Sequence, residues 1–331
     1  AELRDRGVAN GVPGLELIED RRKLFGDESS LNRKAVAALY APTAGITSPY
    51  EMAIALAENA AANGARVMLS TRVTGISLKG DAVQGLQTDR GFIEASHVIN
   101  AAGLSADEVS AMAGVDHPAI SPRRGEYFVF DKVVGGLVRH VLFPIPTKLS
   151  KGIVVTRTVD GNLLIGPNAS GVEDKTDFAT TAGGLEEVFE GALRLVPKLS
   201  LERGAIIASY AGLRTESNID DFVVERCDEP LGFINIAGIK SPGLTAAPAI
   251  AEQAISLLQE SGLKLRKKET FNPHRRSIDR SVRRLSAHDS EMLIAKDPRY
   301  GHVVCRCEHV AEGEVVEAIK RGATTLDGIK F

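Results

Sequence analysis

The 331-residue sequence lacks any long uncharged apolar run, has no tryptophan and carries no large excess of either charge. No segment approaches the roughly 20 apolar residues that a membrane-spanning helix needs, which argues against an integral membrane protein. The net charge of -3 gives the chain as a whole no reason to bind a polyanion, so nucleic acid is not an expected partner. A content of 44% hydrophobic and 25% charged residues is instead typical of a folded globular protein.

Cysteine is scarce, with three residues in the chain. Two of them, Cys305 and Cys307, lie close together near the C-terminus, so a secreted fold held by disulfides is not expected and a reducing, cytoplasmic compartment fits better. The opening AELRDRGVAN contains neither an initiator methionine nor the basic-then-apolar pattern of a signal peptide. We therefore expect that the start of the chain was processed or cut.

Periodicity and turn residues predict an α+β protein of about two domains. A helix is predicted from Pro49 to Gly64, and a strand, a hairpin and a further strand follow it. Two strand–turn–helix units then match the pattern with which α/β folds bring a backbone close to a phosphate. The first runs from His97 into a helix with Ser105 as its N-cap, and the second runs from Gly232 into an alanine-rich helix that starts at Ser241.

Between these two units, short β-branched and aromatic runs from about Pro118 to Asp228 predict a mostly antiparallel sheet, including the run DFVVER. One helix, Leu185 to Leu195, interrupts it. We therefore expect part of an α/β domain that carries an inserted antiparallel sheet. The stretch from Lys264 to Arg284 holds nine Lys or Arg residues and little apolar periodicity, which favours a solvated linker over a nucleic-acid patch.

Six sequence blocks carry a resemblance to a known family. In chain order they are AALYAPTAGITSPYEMAIALAENAAANG, VINAAGLSADEVSAMAG, PRRGEYFVFD, KGIVVTRTVDGNLLIGPNA, YAGLRTE and INIAGIKSPGLTAAPAIAE. In this order they resemble the FAD-dependent oxidoreductases of the D-amino-acid-oxidase superfamily. Within that superfamily the chain is most similar to bacterial FAD-dependent glycerol-3-phosphate dehydrogenases with a C-terminal iron–sulfur module, and the resemblance extends over essentially all residues.

The resemblance implies a division of the chain into six parts. They are a helical part of the substrate domain at 1–45, part of the FAD-binding domain at 46–114, a substrate-binding β-sheet domain at 115–225, the last strand and helix of the FAD-binding domain at 226–262, a basic linker at 263–285 and a truncated [2Fe-2S]-binding-like module at 286–331. The fold class expected from it is α+β, a partial α/β FAD-binding domain with an inserted, mostly antiparallel β substrate domain.

One departure from the family concerns its first strand, which leads into a GxGxxG fingerprint. The glycines of that fingerprint let a helix present its amides to the FAD pyrophosphate. No such sequence occurs in this chain. We therefore expect a fragment that starts after the fingerprint and that is inactive by itself.

The resemblance also implies which residues meet FAD. Ala101, Ala102 and Gly103 are small residues at the end of a strand, where a backbone can approach a ligand, and they would face the pyrophosphate and ribose. Val73 corresponds to the strand position at the adenine end. The residues implied beside the flavin ring and ribityl chain, around a helix N-terminus, are Gly238, Pro242, Gly243 and Leu244. Without the family, these segments are an ordinary tight turn, a strand valine and a capped helix.

For the substrate, the resemblance points to Arg214, which occupies the family's GxR position and would bind an acid group over the flavin. A planar guanidinium suits this role because it grips carboxylate or phosphate with two hydrogen bonds. Without the family, an arginine at a strand end is usually a surface residue. Further candidates for an anion pocket, each of which is a solvated charge in the alternative interpretation, are Lys148, Lys151, Lys240 and Arg124.

His140 is the candidate base for the hydroxyl proton, since an unperturbed imidazole titrates near neutrality. A structural or surface histidine is the alternative interpretation. Tyr127 alternates with Phe128 and Phe130, a pattern that fits core packing as well as substrate contact.

The C-terminal segment that begins VVCRCEHVAEGE resembles the start of a bacterioferritin-associated-ferredoxin-like module. By that resemblance, Cys305 and Cys307 would supply two of the four thiolates that a [2Fe-2S] cluster needs in the full-length protein. The remaining cysteine, Cys227, follows a strand and is expected to be an ordinary buried or edge thiol.

The resemblance implies an FAD-dependent dehydrogenase that oxidises an anionic 2-hydroxy compound, foremost sn-glycerol 3-phosphate to dihydroxyacetone phosphate, by hydride transfer to flavin N5. Electrons would pass to an acceptor subunit, a cluster or a quinone-linked membrane partner. The resemblance therefore implies a cytoplasmic protein, and a quinone-linked partner would place it peripherally at the inner face of the membrane. The same residues leave three alternatives open: an L-2-hydroxyglutarate oxidase or dehydrogenase, an amino-acid or amine oxidase, and a cofactor-free chain without catalytic function.

Overall fold

The computed structural model describes residues 2–146, 152–219, 221–275 and 285–330. Lys148 and Lys151 lie outside the described residues, so their predicted roles stay predictions. The chain forms two compact units: the larger unit is Ala1–Thr47 with Leu69–Arg266, and the smaller unit is Ser48–Met68 with Lys267–Phe331. The six functional parts implied by the family resemblance stay predictions as well.

The helices and strands have the following bounds. The α-helices are α1 (Glu2–Ala9), α2 (Arg21–Asp27), α3 (Pro49–Ala62), α4 (Ala106–Met112), α5 (Ala182–Leu195), α6 (Gly243–Glu260), α7 (Ala287–Lys296), α8 (Glu312–Lys320) and α9 (Leu326–Lys330). The strands are β1 (Glu16–Ile18), β2 (Ala38–Tyr40), β3 (Val73–Lys79), β4 (Ala82–Thr88), β5 (Gly91–Glu94), β6 (Val98–Asn100), β7 (Ile120–Phe130), β8 (Val154–Arg157), β9 (Leu163–Gly166), β10 (Ser170–Gly171), β11 (Ile206–Ser217), β12 (Val223–Arg226), β13 (Phe233–Ala237), β14 (Val303–Cys305) and β15 (Val310–Ala311). Short 3-10 helices occupy Gly103–Ser105, Lys132–Leu137, Pro197–Leu201, Arg203–Ala205 and Pro298–Gly301.

The largest sheet of the larger unit, which we call the substrate sheet, is antiparallel. Its order is β10-β7-β9-β8, and β11 also pairs with β7. Strands β7 and β11 pair from Ile120 opposite Ser217 to Phe130 opposite Ile206. This pairing confirms the mostly antiparallel sheet that short β-branched runs predict between the two strand–turn–helix units.

Helix α5 covers one face of the substrate sheet and closes its core. The helix starts at the N-cap Thr181, whose side chain accepts a hydrogen bond from the backbone N–H of Gly184. Its inner face buries Val188, Phe189 and Ala192 completely. The sheet residues in the same core cluster are Phe130, Val155, Leu163 and Ile165. Each large apolar side chain buried in this way contributes about 1.5–3 kcal/mol, so the cluster fixes the strands that carry the site.

A second sheet, in the order β12-β13-β6, brings the two predicted strand–turn–helix units side by side. Strands β6 and β13 are parallel, with Phe233 opposite Val98 and Asn235 opposite Asn100. The carboxyl ends of both strands therefore meet at one edge, where β6 leads towards α4 and β13 towards α6. Ser105 occupies the N-cap position of α4 as predicted, but its side chain makes no capping hydrogen bond.

The run DFVVER differs from the sequence prediction. It forms β12 and pairs with β13 in this second sheet, not with the substrate sheet. The reason is apolar packing, since Val223 joins a buried cluster with Ala106, Ile120 and Ala237. The predicted strands after Gly64 are confirmed as the antiparallel sheet β3-β4-β5, and β1 pairs with β2.

The smaller unit consists of α3, the helices α7 to α9 and the hairpin β14-β15. Helix α3 has Pro49 in its first turn, as predicted, and its N-cap is Ser48. Its Glu58 forms ion pairs with Arg275 and Arg321 of the same unit. Among the helices that the structure describes, none combines the length and apolar character that crossing a bilayer requires.

Candidate functional site

The site lies at the carboxyl ends of the parallel strands β6 and β13. Ala101 and Ala102, directly after β6, are exposed, and Gly103 has a φ of 60°. Gly238, directly after β13, has a φ of 65°, and a Cβ there would lie 2.7 Å from the Cβ of Ser217. Both turns therefore need glycine and leave their backbone open to an approaching ligand. This edge of a parallel pair is where α/β folds place their ligands.

A buried network of neutral side chains holds these two turns together. The Nδ2 of Asn100 donates to the Oδ1 of Asn235 at 3.0 Å, and the hydroxyl of Ser110 donates to the same oxygen at 2.8 Å. The Oδ1 of Asn100 accepts the backbone N–H of Ala102 at 3.2 Å. All three network residues are at most 2% exposed. A satisfied buried network of this kind fixes one geometry, here the path of the chain after β6.

A cleft of about 360 Å³ opens at these turns, and we call it the small-residue cleft. Its lining is apolar or small apart from one threonine. The residues are Ala101, Gly103, Thr215, Ile236, Ala237, Gly238, Ile239, Ala247, Ile250 and Ala251. Three of the predicted cofactor residues, Ala101, Gly103 and Gly238, are thus brought together.

A second cavity of about 610 Å³ lies at the N-terminus of α6, and we call it the arginine groove. The residues lining it are Leu213, Arg214, Thr215, Ile239, Lys240, Ser241, Pro242, Gly243, Leu244 and Thr245. Thr215 and Ile239 line both cavities, and the hydroxyl of Thr215 donates to the carbonyl oxygen of Ile239 at 3.1 Å. Strand β11 is thereby tied to the turn before α6. Five predicted site residues meet in this groove: Arg214, Lys240, Pro242, Gly243 and Leu244.

The guanidinium of Arg214 is held in place from two sides. Its Nη2 donates to the main-chain carbonyl oxygen of Asn168 at 2.6 Å. Gly125, opposite Gly212 on the neighbouring strand, makes room for it, because a Cβ at Gly125 would overlap the guanidinium. The position of Arg214 therefore depends on the absence of a side chain at Gly125 and on the main-chain carbonyl of Asn168.

Two stacked tyrosines lie on the same face of the substrate sheet as Arg214. The rings of Tyr127 and Tyr210 are 4.8 Å apart and nearly parallel. Burial raises the pKa of Tyr127, although Arg214 acts in the opposite direction through its charge and a hydrogen bond. Tyr210 is 45% exposed, but the burial of the rest of its side chain, and then the charge of the neighbouring Tyr127, raises its pKa to about 12. Both phenols therefore stay protonated at neutral pH.

The charges around the arginine groove are mainly positive. Glu216 lies 3.4 Å from Nη1 of Arg123 and 3.8 Å from Nζ of Lys240. Glu216 thus has two cations beside it, and Arg214 adds a third positive charge to the lining of the groove. Because these side chains are largely withdrawn from water, their field attracts an anionic ligand more strongly than surface charges would.

Arg124 and His140, both predicted site residues, line neither cavity. Arg124 points to the other face of β7, where its guanidinium pairs with Asp177 and its side chain is 7% exposed. The Nδ1 of His140 lies 3.2 Å from Oε2 of the buried Glu28, and its ring packs edge-on against Tyr40. These contacts account for both side chains as structural elements, and their roles in the reaction stay predictions.

Val73 and Ala102 also lie outside the residues that line the two cavities. Val73 is half-buried at the start of β3, opposite Thr88. The site contains several residues that sequence reasoning missed, namely Gly125, Asn168, Tyr210, Thr215 and Ile239. A signal existed for Tyr210, because it lies four residues before Arg214 on one strand and therefore shares its face.

The cysteine pair of the smaller unit lies at a hairpin. Cys305 ends β14 and is half-buried, whereas Cys307 is exposed. Within the described ranges, no three His, Cys, Asp or Glu side chains are grouped so that they could hold a metal ion. Two thiolates do not fit a [2Fe-2S] cluster, which needs four protein ligands. The cluster stays a prediction, and no chemical step is derived through it. Cys227 is buried as expected, and burial raises the pKa of its thiol.

Comparison with protein families gives a match over most of the chain. The family described as FAD dependent oxidoreductase matches residues 1–257. A glycerol 3-phosphate dehydrogenase from Caloramator mitchellensis is 44% identical over 331 aligned positions, and the alignment covers 99% of this chain and 68% of that protein. An L-2-hydroxyglutarate dehydrogenase from Escherichia coli is 31% identical over 170 residues, 50% of this chain and 39% of that protein.

A solved structure agrees with these matches. The dithionite-reduced L-α-glycerophosphate oxidase from Mycoplasma pneumoniae, with FAD bound, superposes with a TM-score of 0.73 at 29% identity. The superposition covers 82% of this chain and 71% of that one. The substrate sheet and the parallel strand pair described above are thus parts of a known fold.

Proposed function

The chain belongs to the family of FAD-dependent oxidoreductases, and from this membership we propose that it oxidises sn-glycerol 3-phosphate to dihydroxyacetone phosphate. The observation that carries the proposal is the arginine groove, a cationic cavity directly beside the small-residue cleft. The relative that is 44% identical is named as a glycerol 3-phosphate dehydrogenase, which supports this substrate over other anionic 2-hydroxy compounds.

FAD is the cofactor of this family, and the small-residue cleft fits part of it. The open backbone at Ala101 and Gly103 suits the pyrophosphate and ribose, because small residues there leave room for close approach. The N-terminus of α6 has no side-chain cap, and its Gly243 amide donates to the carbonyl oxygen of Lys240 at 2.6 Å, so the amides that follow Gly243 are the ones we propose for the flavin ring and ribityl chain. When bound, FAD supplies the acceptor, flavin N5, for the hydride that leaves C2 of the substrate.

Arg214 and Lys240 bind the phosphate of the substrate in this proposal. The guanidinium offers two parallel N–H donors, and the ammonium of Lys240, which also lines the groove, adds a point charge. Because the Asn168 carbonyl and the space at Gly125 preset the guanidinium, little conformational entropy is lost when the anion binds. The phosphate thus anchors C2 at the boundary between groove and cleft.

Tyr127 supports Arg214 and does not act as the base, because it lines neither cavity. Burial raises the pKa of its phenol, so the hydroxyl keeps its proton at neutral pH, and a hydrogen bond joins it to Arg214. His140 is held by Glu28 outside both cavities, so we assign it no step. We further propose that the electrons leave for an acceptor subunit or a quinone-linked membrane partner.

Anaerobic reduction of the bound flavin by a panel of substrates tests the proposal. We expect rapid bleaching with sn-glycerol 3-phosphate and none with glycerol, which has the same carbon skeleton without the anion. The enantiomer sn-glycerol 1-phosphate controls for orientation at C2 and is expected to bleach slowly. Bleaching by L-2-hydroxyglutarate, or by glycine, proline or D-amino acids, with no response to glycerol 3-phosphate would transfer the assignment to those substrates.

A further inference from the structure

A buried carboxylate lies behind the arginine groove, on the opposite face of β7. Glu126 is 1% exposed. Its carboxylate accepts hydrogen bonds from the backbone N–H and the hydroxyl of Thr181, the N-cap of α5, and from Nδ2 of Asn168 at 3.0 Å. These donors are neutral groups. Burying a charge against neutral donors is costly, so a purely structural element would be served better by an amide.

Glu126 and Asn168 are joined by a reciprocal pair of hydrogen bonds. The side chain of Asn168 donates to Oε2 of Glu126, and its Oδ1 accepts the backbone N–H of Glu126 at 2.9 Å. Asn168 is 2% exposed, and its Nδ2 also reaches Oε2 of Glu187 at 3.1 Å. The loop after β9 is thereby fixed to the central strand of the substrate sheet.

The same residue, Asn168, carries the carbonyl oxygen that receives Nη2 of Arg214 at 2.6 Å. Arg214 lies on the face of the sheet that lines the groove, and Glu126 lies on the face that is covered by α5. A continuous chain of hydrogen bonds therefore runs from the N-terminus of α5 through Glu126 and Asn168 to the guanidinium. The positive end of the helix dipole stabilises the charge at its start.

We propose that Glu126 is a positioning residue for substrate binding, which orients Arg214 through the backbone of Asn168. This inference rests on the proposed function, because it assumes that Arg214 binds the substrate anion. Glu126 touches neither cavity and takes no part in the reaction. The carboxylate matters because it accepts three hydrogen bonds here, from the N–H and hydroxyl of Thr181 and from Asn168. The NH2 group of a glutamine would face at least one of these donors and could not accept its hydrogen bond.

Glu126→Gln in the FAD-loaded enzyme tests this inference. We expect KM for glycerol 3-phosphate and the Kd for inorganic phosphate, measured by calorimetry, to rise about tenfold with kcat nearly unchanged. Asn168→Ala, which keeps the main chain but loses the side-chain hydrogen bonds to Glu126, Gly184 and Glu187, should act in the same direction. In the Arg214→Ala background, Glu126→Gln should have no further effect on the phosphate Kd.

Glu314→Gln is the matched control. Glu314 is also a buried carboxylate that accepts a backbone N–H at a helix start, from Ala311 at 2.7 Å, but it belongs to the smaller unit. Its substitution should leave the phosphate Kd unchanged. An unchanged Kd in Glu126→Gln, or an equal weakening in the Arg214→Ala background, would overturn the inference. If Arg214→Ala itself leaves binding unchanged, the proposed function fails and not this step alone.

Discussion

The small-residue cleft and the arginine groove share Thr215 and Ile239, yet they are built on opposite principles. The cleft is shaped by glycine conformations and by small and aliphatic side chains, including those on the side of α6. The groove is shaped by long charged side chains, which must be held in one of many rotamers. The two cavities therefore need different support from the residues behind them.

The residues behind the two cavities differ in charge, as the linings of the cavities do. Behind the cleft, Asn100, Ser110 and Asn235 form a neutral network that fixes where the chain runs. Behind the groove, the carboxylate of Glu126 starts a chain that ends at the guanidinium of Arg214. A cofactor that stays bound needs a rigid backbone around it, whereas an anionic substrate that exchanges at each turnover needs a cation that is already oriented. Stability and cofactor retention should therefore depend on the first network, and substrate KM on the second.

Arg214→Ala should produce the largest effect and should be confined to the groove. Loss of a charge-assisted contact worth about 1.5–3 kcal/mol should raise KM for the anionic substrate about ten- to hundredfold. FAD affinity and the free energy of unfolding should change little. Arg157→Ala is the matched control, because Arg157 is an exposed arginine of the same sheet that lines neither cavity. An unchanged KM, measured by steady-state kinetics, would remove Arg214 from the site.

Asn235→Ala should have the opposite signature. It takes the acceptor away from Asn100 and Ser110 inside the core, which should lower the free energy of unfolding by about 1–3 kcal/mol. Because the turn after β6 then loses its support, FAD should also bind more weakly, whereas KM in the FAD-saturated enzyme should stay near its original value. Chemical denaturation and flavin release measure the two effects, and the exposed Asn10→Ala is the control. A raised KM with unchanged stability would erase the distinction between the regions.

The sequence predicts the cleft better than the groove, and the reason is local. Gly103, Gly238 and the strand–turn–helix units are continuous segments whose spacing and composition report their backbone directly. Arg214 could be placed only through the family resemblance, because strand ends commonly carry exposed arginines. What holds Arg214 was not predictable at all. Gly125 and Asn168 are distant from it along the chain. The register of β7 with β11 brings Gly125 to it, and the loop between β9 and β10, which both pair with β7, brings Asn168.

The sequence assigned β12 to the wrong sheet for a related reason. The run DFVVER holds three consecutive apolar residues that predict a short strand, and this pattern does not distinguish pairing with the substrate sheet from pairing with β13. Burial of Val223 between Ala106, Ile120 and Ala237 decides it, and those residues come from three separate segments. The contact of His140 with Glu28 is a further case, because the two residues lie 112 positions apart and no local pattern could show that they meet.

The smallest predicted effect concerns Tyr210. It distinguishes the substrate sheet from the network behind the cleft by how the free energy of unfolding depends on pH. Burial raises the pKa of Tyr210 to about 12 from its ordinary value of 10.0, so the unfolded chain loses this proton at lower pH than the folded chain does. The stabilisation is complete below pH 10 and is lost as pH rises towards about 12. Tyr210→Phe should therefore make the alkaline fall in unfolding free energy less steep, whereas Asn235→Ala should keep the original steepness. Denaturation at a series of alkaline pH values measures this, and an identical slope in Tyr210→Phe would show that the stacked pair is not protected by the substrate sheet.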